Sequence, residues 1–161
     1  LLLTMELAHK AVFLSLYFLL FLATLVFIER LLYFSFTLPA EKKLLLKEID
    51  ELDENKVEAQ YHNFVSKLTR GKGLLSFTIT ASPLLGLLGT VLGIMNSFST
   101  MAEKGISNIV EVSKGIGFAL EATALGIFVA VITLIYYHVL NSFINKAKTE
   151  IKVVILKSLR R

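Results

Sequence analysis

Residues 114–140 read KGIGFALEATALGIFVAVITLIYYHVL. From Gly115 to Leu140 the run is apolar and long enough to span a bilayer, yet it carries one carboxylate, Glu121, well inside. An ionisable side chain in hydrocarbon costs roughly 2.5–3.5 kcal/mol on insertion scales, so it persists only against a partner, a cavity or an ion path. The pattern predicts that Glu121 is the chemical centre of a proton-conducting membrane subunit and that the rest of the chain builds its surroundings. His138, far from Glu121 along the helix axis, reads as an interfacial side chain at the inner end.

Two further apolar runs pass the roughly 18-residue length of a membrane helix. With 55% hydrophobic residues in 161, the fold class is all-α, a polytopic membrane protein with three transmembrane helices. The absence of cysteine excludes a disulfide framework, a thiolate metal site and a cysteine nucleophile. The net charge of +4 is modest, and its placement carries more than its size. Lys42, Lys43, Lys47, Lys56, Lys67, Arg70 and Lys72 gather between the first and second runs, whereas Lys104 and Lys114 flank the second connection. The positive-inside rule therefore puts the first connection in the cytoplasm, the N-terminus outside and the C-terminus inside. That pattern belongs to cytoplasmic segments, and no nucleic-acid patch is expected. The chain begins at Leu1, so a few preceding residues are expected. The first run ends in Glu29-Arg30 without a small-residue cleavage site, which argues against a cleavable signal.

In order, residues 1–10 form an outer or interfacial lead-in, a frayed extension of the first span. Span one, 11–36, is made of large residues such as Phe13, Tyr17, Phe18 and Phe21, which suit a lipid-facing helix. Glu29-Arg30 marks the headgroup boundary with Tyr33 as an interfacial aromatic, and Pro39 ends the helix. Residues 37–73 are a cytoplasmic helical insert. Leu45, Ile49 and Leu52, then Val57, Tyr61, Phe64 and Leu68, repeat at helical spacing on either side of a break near Asn55. The acidic residues Glu48, Asp50, Glu51, Asp53 and Glu54 read as a solvated face.

Span two, 74–101, has no charge and differs in character. Gly86, Gly89 and Gly93 recur every third or fourth residue, spacing that lets helix backbones approach closely. Thr78, Ser82, Thr90, Asn96 and Ser97 make it too polar for a lipid-facing helix, and Pro83 would kink it or be absorbed locally. Residues 102–114 form a short outer, periplasmic loop. Span three, 115–140, leads into a cytoplasmic C-terminal helix, 141–161. There Ile144, Ala147, Ile151, Val154, Ile155 and Leu159 share one face, and Lys146, Lys148, Lys152, Lys157, Arg160 and Arg161 occupy the rest. Anionic lipid is a natural contact for that basic side.

Spans two and three run antiparallel. At a common rise of about 1.5 Å per residue, Thr90 and Thr123 fall at nearly one depth, with Glu121 slightly nearer the outside. A carboxylate that ionises and reprotonates beside hydroxyls suits proton transfer. Glu121 and Thr123 nevertheless differ by about 200° around an ideal helix and cannot face one narrow axis together.

The segments ASPLLGLLGTVLGIMNSF (81–98) and GIGFALEATALG (115–126) resemble the ExbB/TolQ/MotA proton-channel family, and the ending GIMNSF is more similar to the ExbB branch than to TolQ. The resemblance implies a subunit of the bacterial inner membrane and a homo-oligomer, specifically a pentamer. That pentamer would enclose the single span of ExbD, which carries an aspartate, and use proton flow to drive TonB in outer-membrane uptake. It also implies that Thr90 and Thr123 are pore threonines. The family's glutamate falls at Phe118 here, one turn before Glu121, and its span-three proline falls at Ile132. No phosphate-binding glycine loop, metal-ligand cluster or nucleophile with a base is present, so neither an enzyme nor a cofactor is expected. A TolQ-like role in envelope maintenance and a non-conducting scaffold for a membrane partner remain as alternatives.

Overall fold

The computed structural model describes residues 2–51, 53–105 and 109–160. Within them every element is helical: α1 (Leu2–Leu32), a π-helical turn (Tyr33–Thr37), α2 (Leu38–Ile49), α3 (Glu54–Leu68), α4 (Lys72–Lys104) and α5 (Ile109–Leu159). Among the described residues, three stretches are long and apolar enough to cross a membrane: Leu3–Ile49, Lys72–Lys104 and Ile109–Leu159. The chain is an all-α polytopic membrane protein.

Pro39 does not end the first helix, contrary to expectation. The chain stays helical through Tyr33–Thr37 by widening into a π turn, in which the Leu38 N–H reaches back to the Tyr33 carbonyl. Pro39 then lies in the first turn of α2, where its missing N–H costs little. The widened turn relieves the clash a proline ring makes with the carbonyl four residues earlier.

The expectation that span one faces lipid describes only one side of α1. Leu14, Tyr17, Phe18, Phe21 and Leu25 are exposed, whereas Val12, Leu16 and Ala23 are buried. Val12 and Leu16 pack with Val129 of α5. The Thr24 hydroxyl meets the Tyr136 hydroxyl at 3.2 Å, and Phe27 stacks on the Tyr136 ring.

The insert breaks between the end of α2 at Ile49 and the start of α3 at Glu54, close to Asn55. Asp53, extended in backbone, accepts the Glu54 N–H at 2.9 Å, and Asn55 lies inside the first turn of α3. Aspartate at a helix start both accepts an orphan N–H and complements the dipole. Leu45, Ile49, Val57, Phe64 and Leu68 form one buried cluster with Ile144, Ala147 and Ile151 of α5. The insert and the far half of α5 thus make a small helical bundle. Leu52, assigned to this apolar face, lies outside the described residues, as do Leu1, 106–108 of the second connection and Arg161.

The second connection is tighter than 102–114, since α4 extends to Lys104 and α5 begins at Ile109. α5 is one helix of 51 residues, about 77 Å long at 1.5 Å per residue. That exceeds a hydrocarbon core of about 30 Å, so its far half stands beyond the membrane. There Ile144, Ala147 and Ile151 are buried, Val154 and Ile155 half-buried and Leu159 exposed, with Lys146, Lys152, Lys157 and Arg160 on the exposed side.

Arg30 corrects the sequence reading most. It is 2% exposed, turned into the helical bundle rather than out toward headgroups. Its guanidinium donates to the Lys67 carbonyl at 2.9 Å and covers the Tyr33 ring at 4.1 Å. A cation at the C-terminal end of α3 satisfies an orphan carbonyl and complements the helix dipole. Gly71, at φ +84°, lets the chain turn from α3 into α4 directly against this site. A Cβ there would lie 2.7 Å from Val26.

Candidate functional site

The α4–α5 pair meets along two facing stripes. On α5, Ala119, Ala122, Gly126, Val129 and Thr133 are buried, at alternating steps of three and four. On α4, Ser82, Gly86, Gly89 and Thr90 are buried opposite them. A Cβ on Gly86 would lie 2.6 Å from the Ala122 carbonyl oxygen and 3.1 Å from the Gly126 Cα. One on Gly89 would lie 2.7 Å from the Ala122 Cβ and 3.0 Å from Val12. Gly93 stands against Ala119 and the His9 ring. Apolar side chains gain nothing by leaving lipid for one another, so close backbone packing of this kind is what joins membrane helices. Pro83 sits within α4 without ending it. Having no N–H, it leaves the Ile79 carbonyl without its helical donor.

This close approach sets two hydroxyls together. Thr90 and Thr123 share a hydrogen bond across the seam. Thr90 also reaches the Ala119 carbonyl at 2.9 Å, while its own-helix alternative, the Gly86 carbonyl, is at 3.3 Å. A hydroxyl has one proton to give. One consistent arrangement has Thr123 donating to Thr90 and Thr90 donating to Ala119; the Thr123 hydroxyl also lies 3.4 Å from the Gly86 carbonyl. The result is a short polar chain inside an apolar, close-packed pair.

Glu121 does not join it. The carboxylate is exposed on the far side of α5, beside Leu120, Ile127 and Phe128, which are also exposed. The two-residue step from Ala119 turns Glu121 out by about 200°, as the helix period requires. Thr90 and Thr123 therefore come together, and Glu121 stands apart from them at nearly the same depth. Gly117, one turn outward from Glu121, has nothing within 4 Å of an added Cβ, so this face is open.

Phe118, where the family glutamate would fall, packs on His9, with ring centroids 4.9 Å apart. The sequence reading passed over His9 as part of a frayed lead-in, yet it is 5% exposed. One signal could have found it. His9, Val12, Leu16, Ala23 and Arg30 follow steps of three, four, seven and seven, and all five are buried. That is the inward stripe of α1, and both of its polar members matter.

Three membrane-length helices, a small-residue seam holding paired hydroxyls and a carboxylate exposed on an apolar helix face define, among the described residues, a helical membrane protein. The chain belongs to the MotA/TolQ/ExbB proton channel family, whose model matches residues 35–153. It is 36% identical over 127 residues to the biopolymer transport protein ExbB of Helicobacter pylori, covering 79% of this chain and 74% of that protein. It is 39% identical over 95 residues to the ExbB of Aquifex aeolicus, covering 55% of this chain and 62% of that one. The Tol-Pal system protein TolQ of Pseudomonas aeruginosa is 42% identical over 72 residues, covering 45% of this chain and 31% of that protein.

Proposed function

We propose that the chain is an ExbB-type subunit of a proton-driven motor in the bacterial inner membrane. Its N-terminus is periplasmic, and the α2–α3 insert and the far end of α5 are cytoplasmic. Several copies, a pentamer by family resemblance, place α4 and α5 around a cavity. That cavity holds the single span of an ExbD-like partner bearing an intramembrane aspartate. Proton flow through the assembly drives a TonB-like protein. One elementary charge crossing the membrane releases about 2.3 kcal/mol per 100 mV, which several subunits can couple to movement of an enclosed helix.

The observation that carries this reading is the exposed Glu121 on the apolar face of α5, beside open space at Gly117. Within a membrane such a carboxylate needs an ionisable partner, water or a neighbouring subunit. The Thr90–Thr123 pair lies one helix surface away and would stiffen the wall that presents it.

The test is Glu121→Gln, assayed for proton-dependent nutrient uptake with assembly followed by native mass spectrometry. Glutamine keeps the shape and hydrogen bonding but carries no exchangeable charge. Loss of uptake in an intact complex is expected. Full uptake in an intact complex would make Glu121 structural and leave the proton to the partner's carboxylate. The similarity to TolQ favours a second reading, an envelope-maintenance motor built on the same subunit. Identifying which single-span protein co-purifies with the chain separates the two.

A further inference from the structure

The first turns of α1 close over a cavity of about 200 Å³ at the end of the bundle opposite the insert. Its lining includes His9 and Glu6 from α1, Asn96 and Ser97 from α4, and Gly115 and Phe118 from α5. Two of these side chains carry a buried polar atom with no hydrogen-bond partner among the described residues, Nε2 of His9 and Oδ1 of Asn96. Leaving such an atom unpaired costs about 1–3 kcal/mol. Water is the economical partner for both. A cavity of this size has room for several molecules at about 30 Å³ each, and Glu6, His9, Asn96 and Ser97 give them polar partners in a wall that is otherwise apolar.

The cavity adjoins the polar seam. Gly93, also in its wall, packs on Ala119, whose carbonyl accepts the Thr90 proton at 2.9 Å. Asn96 lies about 9 Å along α4 from Thr90, at 1.5 Å per residue. His9, Asn96 and Ser97 thus lie beyond one end of the Thr90–Thr123 pair along the α4–α5 seam. An imidazole both accepts and donates a proton near neutral pH, which hydroxyls and amides do not. Of the charged groups around it, Glu6 lines the cavity and is paired with Lys10 at 3.2 Å. α4 and α5 present only uncharged side chains to the lining.

We propose that this cavity is a hydrated proton-binding site in which His9 takes up and releases the proton and Asn96 orients the water that carries it. A proton arrives from cavity water at the imidazole and returns to water, so the ring ends as it began. Its role as an entry step for the motor rests on the proton-driven reading above, whereas the hydrated site stands on the cavity itself.

Two measurements test it. The first is solid-state NMR of full-length protein with ¹⁵N-labelled histidine in lipid bilayers, using His62→Gln and His138→Gln for assignment. The His9 nitrogens should show water cross-peaks and change protonation state as the pH is lowered. A dry or non-titrating His9 overturns the site. The second is His9→Gln in the intact complex, following proton-driven uptake against outer pH. The rate should fall about 10²-fold and lose the step that His9 gives its pH profile, the low end of what a positioned acid–base group contributes. An unchanged rate and profile in an assembled complex would refute His9 as the entry group. Uptake that ignores an uncoupler in the wild type would instead remove the motor reading, leaving the NMR result to decide the site.

Discussion

Thr90 and Thr123 are hydrogen-bonded to each other across the α4–α5 seam, on helices whose backbones are close enough to exclude a Cβ at Gly86. The pairing depends on that closeness, because a threonine hydroxyl reaches only a short way from its backbone. Thr90→Val and Thr123→Val remove the hydroxyls with little change in volume. A double-mutant cycle on unfolding in detergent should give a coupling of about 0.6 kcal/mol, the usual scale for hydrogen bonds between membrane helices. Strict additivity would show that the pair contributes no coupling. Thr123→Val should cost less alone than Thr90→Val, because Thr90 reaches the Ala119 carbonyl at 2.9 Å whereas Thr123 reaches the Gly86 carbonyl only at 3.4 Å.

Two glycines on the same pair of helices should respond in opposite ways. Gly86→Ala drives a methyl into the Ala122 carbonyl 2.6 Å away, backbone that cannot swing aside. A loss of about 1–3 kcal/mol is expected, as for overpacking generally. Gly117→Ala meets nothing within 4 Å and gains up to about 1 kcal/mol of helix propensity. Thermal unfolding of the two variants checks the signs. If Gly117→Ala leaves the monomer stable but dissociates the oligomer on native mass spectrometry, the face bearing Glu121 is a subunit contact.

The apolar architecture was plain in the sequence because a membrane helix announces itself by length alone. The seam was partly plain, since Gly86, Gly89 and Gly93 repeat at helical spacing and Thr90 sits among them. Depth along the axis also followed from residue counting, so Thr90 and Thr123 could be placed at one level. Rotation about the axis was harder. The angular step from Thr123 to Glu121 showed that they diverge, but only packing shows which of them turns into the seam. Arg30 was not legible as a buried residue, because charge near the end of an apolar run ordinarily faces headgroups. Its actual partner, the Lys67 carbonyl, lies 37 residues away in the chain. Pro39 misled for a local reason: a π turn absorbs a proline without breaking the helix, and no composition signal distinguishes the two outcomes.

Arg30 offers a test of how the insert is anchored. Arg30→Ala removes the donor to the Lys67 carbonyl and the cation over Tyr33, and opens a cavity beside Gly71. The expected cost is about 1–3 kcal/mol, the penalty of leaving a buried carbonyl without its donor. Arg30→Lys should recover only part, because lysine lacks the planar fork that bonds the carbonyl while stacking on the ring. Hydrogen exchange of α3 amides should accelerate in both variants, more in the alanine one, with α4 changing little. Equal protection in all three proteins would mean that α3 is held by its apolar contacts alone.

The contact between α2 and α5 should depend weakly on pH. Lys42 donates to the Glu150 carboxylate, and this hydrogen bond and charge hold the carboxyl below its ordinary value. A carboxyl whose folded pKa lies below the unfolded one stabilises the fold above the unfolded value of about 4.3. That contribution declines as pH falls below the unfolded value and is gone once pH passes the lower folded one. Glu150 is 46% exposed, so the pair is worth no more than about 1 kcal/mol and less in high salt. Amide exchange in α2 should therefore speed up slightly on acidification below about pH 4.3, relative to a Glu150→Gln variant whose α2 lacks that step. Molar salt should shrink the difference between the two proteins at neutral pH. If wild type and variant respond identically to acid and to salt, α2 rests on α5 through its apolar contacts, with Leu45 and Ile49 against Ala147 and Ile151, and the ion pair adds nothing measurable.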